Sequence, residues 1–82
     1  MTLLTREKCR ARRIVIGLSK SMLSGRAKKL MGNGTLSSNY VGRFEDGDIR
    51  EPSGAKLQAI ETALVQFEKE NEELRAKMEA DT

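Results

Sequence analysis

The sequence predicts an all-α fold of four helices, the last of them extended into a dimeric coiled coil, and three observations predict it. Apolar residues recur at helical spacing throughout the chain. Thr5, Ser19 and Ser53 are each placed to cap a helix, with Gly17, Gly32 and Gly47 where helices stop. Leu57, Leu64, Asn71 and Met78 then alternate with Ile60, Phe67 and Leu74 as the a and d positions of a heptad repeat.

The first helix is expected from Arg6 to Ile16, capped by Thr5 and ended by Gly17. Its apolar positions include Cys9, Ile14 and Ile16, and Arg6, Lys8, Arg10, Arg12 and Arg13 give it a basic surface. The second runs from Ser19 through Met31, with Met22, Leu23, Ala27, Leu30 and Met31 on one side and Lys28 and Lys29 away from them. Arg26 falls inside that apolar arc without an evident partner. Gly32, Asn33 and Gly34 form a turn in which positive φ is cheap.

From Leu36 to Gly47 the helical period sorts residues into two unlike faces. Leu36, Tyr40, Val41 and Phe44 share one arc; Ser38, Asn39, Gly42 and Arg43 share the other. The first face can be buried. The second is small, hydrogen-bonding and cationic, and Asn39 and Arg43 are residue types that make bidentate hydrogen bonds to base edges in a major groove. An ordinary amphipathic surface helix would show the same split. Gly42 costs about 1 kcal/mol in a helix interior relative to Ala. It fits either a tolerant surface position or close approach of the backbone to DNA. Tyr40 can pack at the core edge while its hydroxyl reaches a phosphate. Glu45 is expected to pair with an arginine of the first helix.

Asp48 to Pro52 is a connecting loop, and Ser53 caps a fourth helix reaching about Glu79, longer than so small a core requires. In the heptad frame Asn71 at an a position would pair with its own copy across a parallel dimer. Lys56 would face the partner's Glu61, and Glu70 the partner's Arg75. The dimerisation residues are therefore Phe67, Asn71, Leu74, Met78, Glu70 and Arg75. A solvated, fraying tail after the core is the competing account of Asn71. The division is a domain over 1–65 and a helical dimerisation segment over 66–82.

Charge is divided as sharply as hydropathy. Residues 1–50 hold eleven Lys and Arg against four acids, and residues 51–82 hold four against eight, within a chain of 82 residues and net charge +3. The first part has the electrostatic footprint of a phosphate-binding module. No histidine and a single cysteine leave the usual metal-ligand set absent and remove the common general base and nucleophile pairs. An enzyme is not expected, nor a metal, another cofactor or a small-molecule ligand. With no signal-peptide or membrane-length apolar run, the expected location is the cytoplasm, specifically the prokaryotic cytoplasm or nucleoid.

The run Cys9-Arg-Ala-Arg-Arg-Ile-Val-Ile-Gly-Leu-Ser19 resembles the first helix and turn of the Cro and lambda-repressor class of helix-turn-helix repressors, the Xre family. Arg43-Phe-Glu-Asp-Gly47 looks like the end of that family's recognition helix, and Pro52 with Leu57, Ile60, Ala63 and Leu64 matches its following loop and core helix. The resemblance spans about residues 5–65. It implies a recognition helix beginning at Ser37, with Ser38, Asn39 and Arg43 as base readers and Lys20 holding a phosphate. It departs in the longer stretch between Ala27 and Leu36, which makes Lys28 and Lys29 further phosphate contacts. With Ser37, Tyr40 and Gly42 these complete the expected backbone-contacting set.

The function this implies is a sequence-specific DNA-binding regulator, a homodimeric repressor or autoregulator of a palindromic operator on double-stranded DNA. Its recognition helices would enter major grooves roughly 34 Å apart. An architectural or excision-type DNA-bending factor, and a protein-interaction adaptor using the acidic heptad helix, are the alternatives.

Overall fold

A computed structural model describes residues 4–32 and 36–80, which form α1 (Arg6–Val15), α2 (Lys20–Met31), α3 (Tyr40–Glu45) and α4 (Gly54–Ala80). Among the described residues the chain is all-helical. The turn expected at Asn33 and Gly34 lies outside them.

Local chemistry fixes the helix starts. Thr5 Oγ1 accepts from the Lys8 N–H (3.1 Å), Ser19 Oγ from Met22 (3.1 Å) and Ser53 Oγ from Lys56 (3.2 Å). Each satisfies a donor that the first helical turn leaves without a backbone partner. At the far ends the chain turns through Gly32 at φ 72° and, after α3, Gly47 at φ 84°, a region costly for any side chain.

Leu23, Leu36, Val41, Ile60, Leu64 and Cys9 are fully buried and form the centre of the core. Burial of each leucine-sized side chain contributes about 1.5–3 kcal/mol. α4 lies along the other helices, with Ala59, Ile60, Ala63 and Leu64 buried and Leu57 and Phe67 packed at the margin. The first two heptads of the stripe, Leu57, Ile60, Leu64 and Phe67, are thus consumed by the chain's own core. Beyond Asn71 every described residue of α4 is exposed.

Several expectations need correction. α1 stops at Val15, one residue early, and Ile14 is 55% exposed because its direction is about 140° from that of Cys9. Arg12 and Arg13 do not belong to a basic outer surface: they fill the inward side of α1 and bind acids. Met22 and Leu30 are 57% and 42% exposed, since the inner arc of α2 centres on Leu23, Ser24 and Ala27 instead. Arg26 acquires a clear role. Its guanidinium lies 4.1 Å from the centre of the Phe67 ring and donates to Gln66 and Glu70 at 3.1 and 2.8 Å, so the apolar arc there is capped by a cation on an aromatic face.

The largest correction concerns α3, which begins at Tyr40 rather than Ser37. Ser37 Oγ donates to Asn39 Oδ1 at 2.9 Å, and the Tyr40 N–H bonds the Ser37 carbonyl at 3.2 Å. These bonds close a local turn over Ser37 to Tyr40 ahead of the helix.

Candidate nucleic-acid interface

Three contacts hold α3 in place. Tyr40, Val41 and Phe44 are buried, so its inner side is core. The Val41 N–H, one of the first-turn donors, bonds Ser24 Oγ of α2 at 3.0 Å, and Ser24 is fully buried. Ser24 therefore fixes the approach of α3 to α2, a role its polar identity inside an apolar arc could have signalled. At the other end, Glu45 accepts two hydrogen bonds from Arg13 of α1, both 2.8 Å, and Arg13 also donates to the Leu18 carbonyl at 2.9 Å. The expected pairing of Glu45 with a first-helix arginine is met by Arg13.

The side opposite this anchorage carries Ser38, Asn39 and Arg43, all exposed. Ser38 and Asn39 stand in the turn before α3, and Arg43 on the helix itself. Gly42 is half-buried against α2: a Cβ placed there would lie 3.4 Å from Lys20 Cδ. That contact brings Lys20 of α2 alongside Gly42 of α3, the residue before Arg43. A Cβ at that distance is in ordinary van der Waals contact, so packing within the chain does not by itself require glycine at position 42.

The Tyr40 ring packs at the core edge, as expected. Tyr40 is 6% exposed, and burial pushes its phenol above the ordinary range. Its ring is core. Lys56 lies 5.0 Å from the centre of that ring and with Ser37 and Arg43 lines a shallow groove beside α3. Within the single chain Lys56 stacks on Tyr40, and Glu61, its expected counterpart across a dimer, binds Arg12 at 2.6 Å. Lys28 and Lys29 also part company, as adjacent helical residues point about 100° apart. Lys29 lines a depression with Met22, Gly25, Arg26 and Phe67 on the α4 side of α2, away from Gly42.

Ion pairing sorts the basic half of the chain. Arg12, Arg13 and Arg26 are bound to Glu61 and Glu68, Glu45, and Glu70 respectively. Arg6, Lys8, Arg10, Lys20, Lys28, Lys29, Arg43 and Arg50 are in no salt bridge among the described residues. The field they produce is consequently available to an external polyanion.

Reactive chemistry is poorly served. Cys9 is fully buried, its thiol donates to Glu45 Oε2 at 3.6 Å, and burial with that carboxylate beside it pushes its pKa up to about 12. Such a thiol stays protonated and inert. Among the described residues no three Cys, Asp or Glu side chains gather as metal ligands, and no helix is long and apolar enough to cross a membrane.

The expected dimerisation residues divide into two groups. Phe67 is partly buried beneath Arg26, and Glu70 is bound to Arg26 of its own chain. Leu74 and Met78 are 57% and 63% exposed; Asn71 is half-buried and Arg75 exposed. No protein-family model, curated protein or solved structure matches the chain.

Proposed function

We propose that the chain is a sequence-specific DNA-binding regulator of transcription, without enzymatic activity, that acts as a homodimer on a two-fold symmetric operator in a prokaryotic cytoplasm. In this reading α2 and α3 form a helix-turn-helix pair, with Ser38, Asn39 and Arg43 reading base edges and Lys20 and Lys28 holding phosphates. The observation that carries it is the two-sidedness of α3. Its inner residues are buried and tied to α2 through Ser24, while Asn39 and Arg43 are exposed and Lys20, in no salt bridge among the described residues, packs beside Gly42. A rigidly held surface of bidentate donors beside free cations suits a major groove and its flanking phosphates. The short α3 implies that the preceding turn enters the groove with it. Lys56, on the same groove as Ser37 and Arg43, joins the phosphate-binding set.

The test is selection of bound sequences from a random duplex pool, with the native chain and with Arg43→Ala. The native chain is expected to enrich a two-fold symmetric site. Arg43→Ala should cost about 1–3 kcal/mol of affinity and relax base preference at one position per half-site. Lys28→Ala should weaken every sequence alike and flatten the salt dependence. If Arg43→Ala leaves both affinity and preference intact, α3 does not read DNA.

A further inference from the structure

The stripe formed by Leu57, Ile60, Leu64, Phe67, Asn71, Leu74 and Met78 runs along a single side of α4. Up to Phe67 it is covered by the chain's own α1 to α3; Leu74 and Met78 continue it beyond them, uncovered. We propose that this uncovered end of α4 packs antiparallel against the same end of α4 in a second copy. Asn71 then faces the partner's Leu74, and Phe67 faces the partner's Met78. The inference deepens the pairing in the function proposed above and does not depend on DNA binding.

Space decides between the two directions. Helices packed through facing stripes lie about 8–10 Å apart. The body of each chain sits on the stripe side of α4, and the molecule measures 26 × 25 Å across its short axes. A parallel pair would place both bodies at one level, between helices too close to hold them. Reversing one helix moves the bodies to opposite ends. The overlap from Phe67 to Met78 is about 18 Å of helix at 1.5 Å per residue.

Charge agrees with the same direction. In an antiparallel pair the residues flanking the seam meet like position with like, g with g and e with e. In the register stated, Glu70 meets the partner's Lys77 and Glu68 meets the partner's Arg75. Symmetry makes each contact twice, and all are attractive. Parallel alignment of this segment offers Glu70 with the partner's Arg75 alone. Glu68 and Glu70 already accept from Arg12 and Arg26, but a carboxylate has about four acceptor sites, so a second donor can be added.

The surface under the partner's Met78 is also suited to it. Phe67 forms a wall of the depression that Met22, Gly25, Arg26 and Lys29 complete, and Met22 is 57% exposed there. An unbranched thioether adapts well to such an irregular, partly aromatic hollow.

The experiment uses the full chain carrying either Asn71→Cys or Leu74→Cys, positions outside the core. Cys9 does not interfere, because it is buried and its thiol is pushed up to about 12. Under mild oxidation, the mixture of the two variants is expected to form a mixed disulfide faster than either variant joins to itself. Lys77→Glu should weaken self-association, measured by light scattering, by about tenfold, as two attractive contacts become repulsive. Self-linking of Leu74→Cys as fast as the mixture, or no effect of Lys77→Glu on association, overturns the antiparallel arrangement. A monomer at millimolar concentration overturns pairing altogether. A dimer of this kind that selects no DNA sequence leaves this inference standing and removes the DNA reading.

Discussion

Replacing Arg13 by methionine removes the most enclosed ion pair of the molecule and tests what fixes α3 to α1. The Arg13 and Glu45 side chains are 11% and 3% exposed and share two hydrogen bonds of 2.8 Å. Arg13→Met leaves the Glu45 carboxylate with the Cys9 thiol at 3.6 Å as its remaining donor, and leaves the Leu18 carbonyl without its 2.9 Å partner. Breaking a buried pair by removing one member costs about 3–5 kcal/mol, because the charge left behind stays desolvated. A domain of this size holds about 5–15 kcal/mol in total, and each kcal/mol shifts Tm by about 4–8 °C. A fall of at least about 12 °C follows. Removing both charges with Arg13→Met and Glu45→Met together should recover most of the loss, since no charge then remains buried alone. Urea unfolding followed by far-UV circular dichroism of the native chain, both single variants and the double variant gives the coupling energy directly. A coupling below about 1 kcal/mol would refute the assignment, because the pair would then be no more than surface electrostatics.

Gly42→Ala is expected to raise stability by up to about 1 kcal/mol in thermal unfolding, since a Cβ meets Lys20 Cδ at an ordinary 3.4 Å and alanine favours the helix. A loss of stability would show that the packing against Lys20 is tighter than the geometry indicates. The arginines beside them hold Glu68 and Glu70 below the usual carboxylate range. Their folded-state pKa is therefore the lower one, so their contribution is present above the ordinary value of 4.5 and lost as pH falls through the folded value. Tm measured from about pH 5 down to pH 3 should fall less steeply in Glu68→Gln than in the native chain, and an unchanged slope would exclude Glu68 as a source of acid sensitivity.

The elements whose limits were legible are those whose signals are local. Thr5, Ser19 and Ser53 each bond the third residue onward, a relation visible in three letters of sequence. The buried arc of Leu36, Tyr40, Val41 and Phe44 was likewise legible, because period alone defines it. The start of α3 was not, because the apolar pattern runs back to Leu36, through the turn that precedes the helix. Arg12 reads as a surface cation until α4 brings Glu61 and Glu68 to it from about fifty residues away, at 2.6 Å each. Ser24 shows the same limit in reverse: its polar identity in an apolar arc signals a buried partner, but not that the partner is a backbone N–H of α3.

These long-range pairs also explain how a chain with opposite charges in its two halves can present a basic surface. Arg12 and Arg26 bind Glu61, Glu68 and Glu70, so the acids nearest the body are offset by arginines turned inward. Among the described residues, the cations left without salt bridges then include Arg6, Lys8 and Arg10 of α1, Lys20, Lys28 and Lys29 of α2 and Arg43 of α3. Arg26 stands where the two uses of α4 meet. Its guanidinium covers Phe67 at the margin of the core and reaches Glu70 one turn further along. The Arg26–Glu70 contact is solvent-exposed and therefore weak, so Glu70 can accept a second cation without loosening the fold. The same arginine closes the core at Phe67, so α4 divides into a part that serves the fold and a part, with Leu74 and Met78, that the chain leaves uncovered.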